Sequence, residues 1–186
     1  MVVRIFGGLE YEGKDMKRLF IIRHAKSSWS EKDIDDFDRD LKKRGKDDIK
    51  MMACWMKKRG FYPDCILSSP AKRAVKTLNK ILKILNVKKQ KVIYDKNIYE
   101  ASLEELLKII SKCKKENNNI FLIGHNPSLN ELVEYLTDSV IFNIPTSGII
   151  CIEFDVDDWS EIEHKKGSIL FFEYPKKLKE TKSVKC

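Results

Sequence analysis

The sequence predicts an α/β protein with a mostly parallel central sheet and helices on both faces of it. Three observations carry that reading. The uninterrupted apolar runs Leu19–Ile22 and Ile120–Ile123 have the length of strands buried on both faces. Ala71, Ala74, Val75, Leu78, Ile81, Leu82 and Leu85 recur with the period of an amphipathic helix. Short apolar runs alternate with helical patterns along the chain, which is the order of consecutive βαβ units.

The elements follow in order. After the strand at Leu19–Ile22, Ile49, Met52, Ala53 and Met56 have helical spacing, and Gly60 and Pro63 end that helix. Cys65-Ile66-Leu67 reads as a second strand. Ser69-Pro70 opens the next helix, with Ser69 as N-cap and Pro70 at its first position. Val92-Ile93-Tyr94 is a third strand. Ser102-Leu103-Glu104-Glu105 is a capping box, and Leu103, Leu106, Leu107 and Ile110 form the apolar face of its helix. A strand at Ile120–Ile123 leads into Gly124-His125-Asn126-Pro127. There Asn126 is the expected N-cap and Pro127 the first helical residue, and Leu129, Leu132, Val133 and Leu136 continue the helix. Ile149–Phe154 and Ser168–Tyr174 read as strands flanking an acidic loop around Trp159.

Composition bounds the function. The chain has 186 residues, 42% hydrophobic and 34% charged, enough for one domain with a sizeable core and too apolar for a disordered chain. Its formal net charge of +8 suits anionic partners, and equally suits a lysine-rich surface with no partner at all. No apolar run approaches the ~18 residues of a membrane span, and residues 1–15 lack the apolar stretch of a secretory signal. The five cysteines include no C-x-x-C pair and none near a His at metal-ligand spacing, which reads as reduced thiols in a cytoplasmic protein. Residues 1–15 read as an N-terminal extension, residues 16–178 as the domain, and residues 179–186 as a basic, frayed tail.

Parallel sheets bind ligands at the carboxyl ends of their strands. The first strand ends Arg23-His24, the second Ser68-Ser69-Pro70 with Arg73 close behind, and the fourth Gly124-His125. The chain has only three histidines, and two of them stand at these ends. Arg offers a planar fork of donors that matches phosphate oxygens, and a neutral imidazole is a competent nucleophile. Phosphoryl transfer asks a protein mainly for positioning and charge stabilisation. Two arginines and a second histidine supply that without a metal or cofactor, and no P-loop is present. Each residue alone reads as a loop or surface group. Together, at three strand ends, they point to phosphate chemistry.

These residues also carry a resemblance. Arg23-His24-Ala25-Lys26-Ser27-Ser28-Trp29 resembles the Arg-His-Gly signature of the histidine phosphatase superfamily. Leu67 to Thr77 resembles its second motif, Tyr99-Glu100-Ala101 its acidic motif, and Gly124-His125-Asn126-Pro127 its late histidine motif. Order, spacing and the terminal hairpin with Trp159 are most similar to the small SixA-type phosphohistidine phosphatases. The resemblance implies the phosphoglycerate mutase-like fold and catalysis through a phosphohistidine on His24. It implies that Arg23, Arg73 and His125 hold the phosphoryl group, that Ser27 or Ser30 adds a hydroxyl, and that Glu100 donates the proton to the leaving group. Glu100 reads equally as a charge favouring the start of the helix that follows. The acidic stretch Glu31, Asp33, Asp35, Asp36, Asp38 and Asp40 is a rival source of the acid, or a solvated loop beside the site. Ala25 replaces the commoner Gly, and Arg39-Asp40-Leu41 departs from the usual residue-Pro-Leu.

The expected substrate is phosphohistidine on a protein, because so short a chain leaves little to build a cap over a small metabolite. The alternatives are a small-molecule phosphatase or mutase-like enzyme acting on a phosphomonoester, and a non-catalytic basic binding module. No nucleic acid or membrane partner is expected, and a monomer is. From Cys65 to Tyr94 the chain carries eight basic residues and no acidic one, which reads as a solvated face or as a docking surface for an anionic partner.

Overall fold

The structure is a computed structural model and describes residues 16–28, 34–89 and 92–181. The expected extension at residues 1–15, Ser30, the candidate acids Glu31 and Asp33, and residues 182–186 of the expected tail lie outside the described residues. The strands are β1 (Lys17–Arg23), β2 (Cys65–Ser68), β3 (Val92–Tyr94), β4 (Asn119–Gly124), β5 (Ile149–Phe154) and β6 (Ser168–Glu173). The helices are α1 (Lys43–Lys58), α2 (Lys72–Leu85), α3 (Leu103–Ser111), α4 (Ser128–Leu136) and α5 (Pro175–Glu180).

The six strands form one sheet in the order β3-β2-β4-β1-β5-β6. β1, β2, β3 and β4 run parallel, whereas β5 is antiparallel to β1 and β6 antiparallel to β5. The mixed edge comes from the terminal hairpin, whose loop is closed by a 3-10 turn at Trp159–Glu161. Trp159 is fully buried, and its indole N–H donates to the Asn117 carbonyl at 2.7 Å.

Side chains alternate across a strand, so a continuous apolar run fills two cores at once. In β1, Leu19 and Ile21 pack with α3 and α4 on one face of the sheet. Phe20 and Ile22 pack with α1, α2 and α5 on the other. The capping box at Ser102 forms as expected, with the Glu105 N–H donating to the Ser102 hydroxyl and the Ser102 N–H to the Glu105 carboxylate.

Four expectations are corrected. α2 begins at Lys72 with Ala71 as cap, because the Ser69 hydroxyl instead accepts from the Ala71 N–H inside the turn. α4 begins at Ser128 with Pro127 as cap, because the Asn126 amide is turned away to donate to Asn143 Oδ1 and the Ile144 carbonyl. The basic tail expected at residues 179–186 is helical as far as Glu180: Leu178 is buried in the core and Lys179 pairs with Asp48 at 2.6 Å. Cys65, Cys113 and Cys151 are free thiols, but Cys54 is disulfide-bonded, against the expectation of an all-reduced set.

Candidate active site

β1, β2 and β4 are neighbours, so their carboxyl ends bring His24, Ser69 and His125 to one place. The His24 N–H donates to the Gly124 carbonyl at 3.2 Å, which ties the two strand ends together. The Ala25 N–H donates to Thr77 Oγ1 at 2.9 Å, and that hydroxyl donates to the Arg73 carbonyl at 2.6 Å. α1 closes in from the other side at Gly45. A Cβ there would lie 2.3 Å from the Lys26 carbonyl oxygen, so only glycine lets the helix touch the loop after His24.

His24 is buried, and its Nδ1 lies 2.8 Å from the Ala25 carbonyl oxygen. A carbonyl only accepts, so Nδ1 carries the ring proton and Nε2 the lone pair. Arg73 Nε donates to that Nε2 at 3.3 Å. The other edge of the Arg73 guanidinium is clamped by one residue. Nη1 donates to the Asp36 carbonyl at 2.5 Å and Nη2 to Asp36 Oδ2 at 2.8 Å. The Tyr99 hydroxyl donates to the same Oδ2 at 2.8 Å, and Arg39 Nε pairs with Oδ1 at 2.9 Å.

The His125 ring lies 5.0 Å from the His24 ring, centroid to centroid, and its Nε2 is 2.8 Å from the Ser69 hydroxyl. Its buried Nδ1 has no partner among the described residues. Arg23 Nη1 donates to the Ile144 carbonyl at 2.6 Å and to Asn143 Oδ1 at 3.1 Å, which moors the 143–146 loop beside the site. Its buried Nε is left without a partner among the described residues. A buried guanidinium N–H without a partner is costly, and an anion placed there would satisfy it.

His24 opens into a cleft of about 430 Å³ lined also by Arg23, Lys26, Ser27, Arg39 and Lys42, with no acidic side chain on its wall among the described residues. Burial pushes the His24 pKa down to about 4, with Arg73, Arg23 and Arg39 adding to that against the opposing Ala25 hydrogen bond. Burial pushes His125 down to about 3, helped by His24, Arg73 and Arg23 against the opposing charge of Asp36. Both rings are neutral at pH 7. Burial raises the Asp36 pKa, but the Tyr99 hydrogen bond and the charges of Arg73 and Arg39 outweigh it and hold the carboxyl below its ordinary value. The arrangement offers a neutral imidazole nucleophile beside guanidinium donors that can carry charge on phosphoryl oxygens.

Five of the seven residues expected at the site converge: Arg23, His24, Arg73, His125 and the buried Ser27. Ser30 lies outside the described residues. Glu100 is exposed, has a left-handed backbone (φ 55°), and takes no part in the hydrogen bonds that join the cluster. The carboxylate that does touch it is Asp36, from the acidic stretch. Arg39, Tyr99, Ser69 and Thr77 are the partners that sequence reasoning missed as site residues. Ser69, Thr77 and Tyr99 lay inside the recognised motifs and were legible to that extent.

Comparison with known proteins gives a match to the model of the histidine phosphatase superfamily, branch 1, over residues 19–122, more than half of the chain. The chain belongs to the histidine phosphatase superfamily. It is also similar to an uncharacterized chloroplastic protein of Arabidopsis thaliana, 29% identical over 78% of this chain and 70% of that one. A phosphoglycerate mutase of Buchnera aphidicola is 40% identical, but over 38% of this chain and 32% of its own. The structure assigned to phosphohistidine phosphatase SixA of Agrobacterium tumefaciens superposes with a TM-score of 0.73 at 26% identity, covering 86% of this chain and 98% of that one. A protein histidine phosphatase SixA complexed with tungstate, a phosphate-like oxyanion, gives 0.75 at 22%, covering 87% and 99%. The chain is a phosphatase of this family, with the same α/β architecture as its SixA neighbours.

Proposed function

We propose that this histidine phosphatase is metal-independent and removes the phosphoryl group from phosphohistidine on a protein, through a phosphohistidine formed on His24. One observation carries the choice of substrate. Among the described residues, Asp36 is the carboxylate that contacts the cluster and is held ionised, and both site histidines are neutral, so none of the three stands ready as a protonated acid for a basic leaving group.

Phosphohistidine needs none. His24 Nε2 attacks phosphorus, the substrate P–N bond breaks, and a substrate ring already protonated on its other nitrogen leaves as neutral imidazole. The His24 ring keeps its Nδ1–H on the Ala25 carbonyl and is cationic while phosphorylated. Water then attacks phosphorus, the P–Nε2 bond breaks, the water proton stays with phosphate, and His24 returns to its neutral tautomer. Arg23 and Arg73 supply positive charge to the phosphoryl oxygens in both steps. The open cleft admits a side chain of a folded partner.

The test is turnover of a phosphohistidine peptide beside an alkyl phosphate, with EDTA present. The peptide is expected to turn over and the alkyl ester to react slowly. Quenching in base is expected to trap an acid-labile phosphoenzyme, absent from His24→Ala. Faster turnover of the alkyl ester, or activity in His24→Ala, overturns the reading.

A further inference from the structure

The helix that delivers Arg73 to the site also carries Lys76, Lys80 and Lys83. From Arg73 these follow at spacings of three, four and three residues, which places all four on one face of α2. That face walls a groove of about 240 Å³ whose other side is Leu41 and Lys46 of the α1 entry. The groove and the catalytic cleft are lined by adjacent stretches of chain. Leu41 adjoins Lys42, which lines the cleft, and the Lys46 N–H donates to the Lys42 carbonyl at 3.1 Å. The backbone bridge between Ser27 and Leu41 joins the cleft wall to the groove wall.

Among the described residues, no acidic side chain lines either the groove or the cleft. The acids nearby are engaged: Asp40 pairs with Lys76, Asp36 with Arg73 and Arg39, and Asp48 with Lys179. Lys80 and Lys83 of α2 enter no ion pair among the described residues, nor does Lys46. Without basic residues elsewhere on the rim, a solvated helix would be the end of it. Here the stripe begins at a phosphate-binding arginine and runs away from it along a groove.

We infer that this track docks an acidic segment of the phosphoprotein substrate, adjoining the phosphorylated residue. From Arg73 to Lys83 the helix rises about 15 Å. An extended chain covers that in about five residues. The occupant is therefore a short run rich in Asp and Glu, immediately beside the residue whose phosphoryl group enters the cleft. This rests on the proposed protein substrate, and its test separates the two.

The docking arm uses His24→Ala and a fluorescein-labelled peptide of alternating Glu and Ser without phosphate, read by anisotropy. Binding is expected at about 50 mM salt and lost at about 500 mM, where screening is short-ranged. Adding Lys80→Glu and Lys83→Glu is expected to weaken it at least about tenfold. The catalytic arm compares phosphohistidine peptides with Glu or Gln flanks. Wild type is expected to favour the Glu flank in kcat/KM by about tenfold, the double lysine variant to lose that preference, and p-nitrophenyl phosphate turnover to stay unchanged. Equal binding by the double variant overturns the inference. So does an RNA oligonucleotide of the same charge that competes as well as the peptide, because the face is then a general polyanion surface. Docking without phosphohistidine turnover leaves the track intact and removes the proposed substrate.

Discussion

Asp36→Ala removes the clamp on the outer edge of Arg73. In the folded protein Asp36 engages both terminal nitrogens of that guanidinium and leaves its Nε–H directed at His24 Nε2, the proposed nucleophile. A hydrogen bond to a charged group contributes about 1.5–3 kcal/mol. The Asp36 side chain is 41% exposed, so solvent screening reduces its share to about 1 kcal/mol. Releasing Arg73 also returns part of an arginine's rotamer entropy, which is up to ~2 kcal/mol in full. The backbone carbonyl of residue 36 remains as an acceptor, so only a fraction of that is regained. A total near 1.4 kcal/mol is about tenfold in rate. We expect kcat on p-nitrophenyl phosphate to fall about tenfold, with KM changing less, because orientation matters most when charge develops in the transition state. Asp36→Asn, which keeps an acceptor, is expected to fall between the two. The rival physics is competition: an ionised carboxylate on Arg73 opposes an incoming phosphate. If Asp36→Ala binds tungstate more tightly and turns over faster than wild type, the clamp is an inhibitor and the positioning argument is wrong.

Arg73→Ala removes a donor aimed at the reacting atoms and is expected to lower kcat about 10²–10³-fold, whereas wild-type kinetics in that variant would reduce Arg73 to a structural cation. Gly45→Ala places a methyl 2.3 Å from the Lys26 carbonyl oxygen, so backbone must shift; urea unfolding is expected to show a loss of about 1–3 kcal/mol, with a fall in kcat because the displaced loop holds His24. Stability is expected to decline as pH falls from 6.5 toward 5, since the unfolded histidines take up protons there while His24 and His125 stay neutral until about 4 and about 3. Thermal melts across that window read the slope, and a His24→Gln variant that keeps the full slope would contradict the depressed value.

Most of the fold was legible because burial on two faces leaves an unmistakable pattern. Leu19–Ile22 and Ile120–Ile123 serve a core on each side of the sheet, so no polar residue interrupts them. α2 was equally plain, because one side of it is fully committed to that core. The helix starts shift because tertiary contacts re-aim both side chains. The Ser69 hydroxyl accepts from the Ala71 N–H inside the turn and lies 2.8 Å from His125 Nε2, and the Asn126 amide N–H donates to the 143–144 loop while its Oδ1 has no partner among the described residues. Capping signals are local, and they do not show which way a tertiary contact turns the side chain. The tail begins two residues later than expected, because α5 runs on through Lys179, which pairs with Asp48, to Glu180.

The site divides along the same line. Arg23, His24, Arg73 and His125 were legible because each follows a strand or opens a helix, and strand order fixes where such ends meet. Asp36 was not, because it belongs to a loop and no periodicity places it. Its neighbours Asp35, Asp38 and Asp40 have the same chemistry, and only the folded chain distinguishes them: Asp35 caps the short turn by accepting from the Phe37 N–H, Asp40 takes Lys76, and Asp36 takes Arg73. Glu100 shows the converse. A motif position made it the expected acid, yet the left-handed turn that carries it leaves the side chain exposed and turns the preceding Tyr99 onto Asp36. Among the described residues, the carboxylate that meets the site thus comes from a different loop from the one the motif marks, in ionised form. That transfer is what favours a substrate whose leaving group brings its own proton.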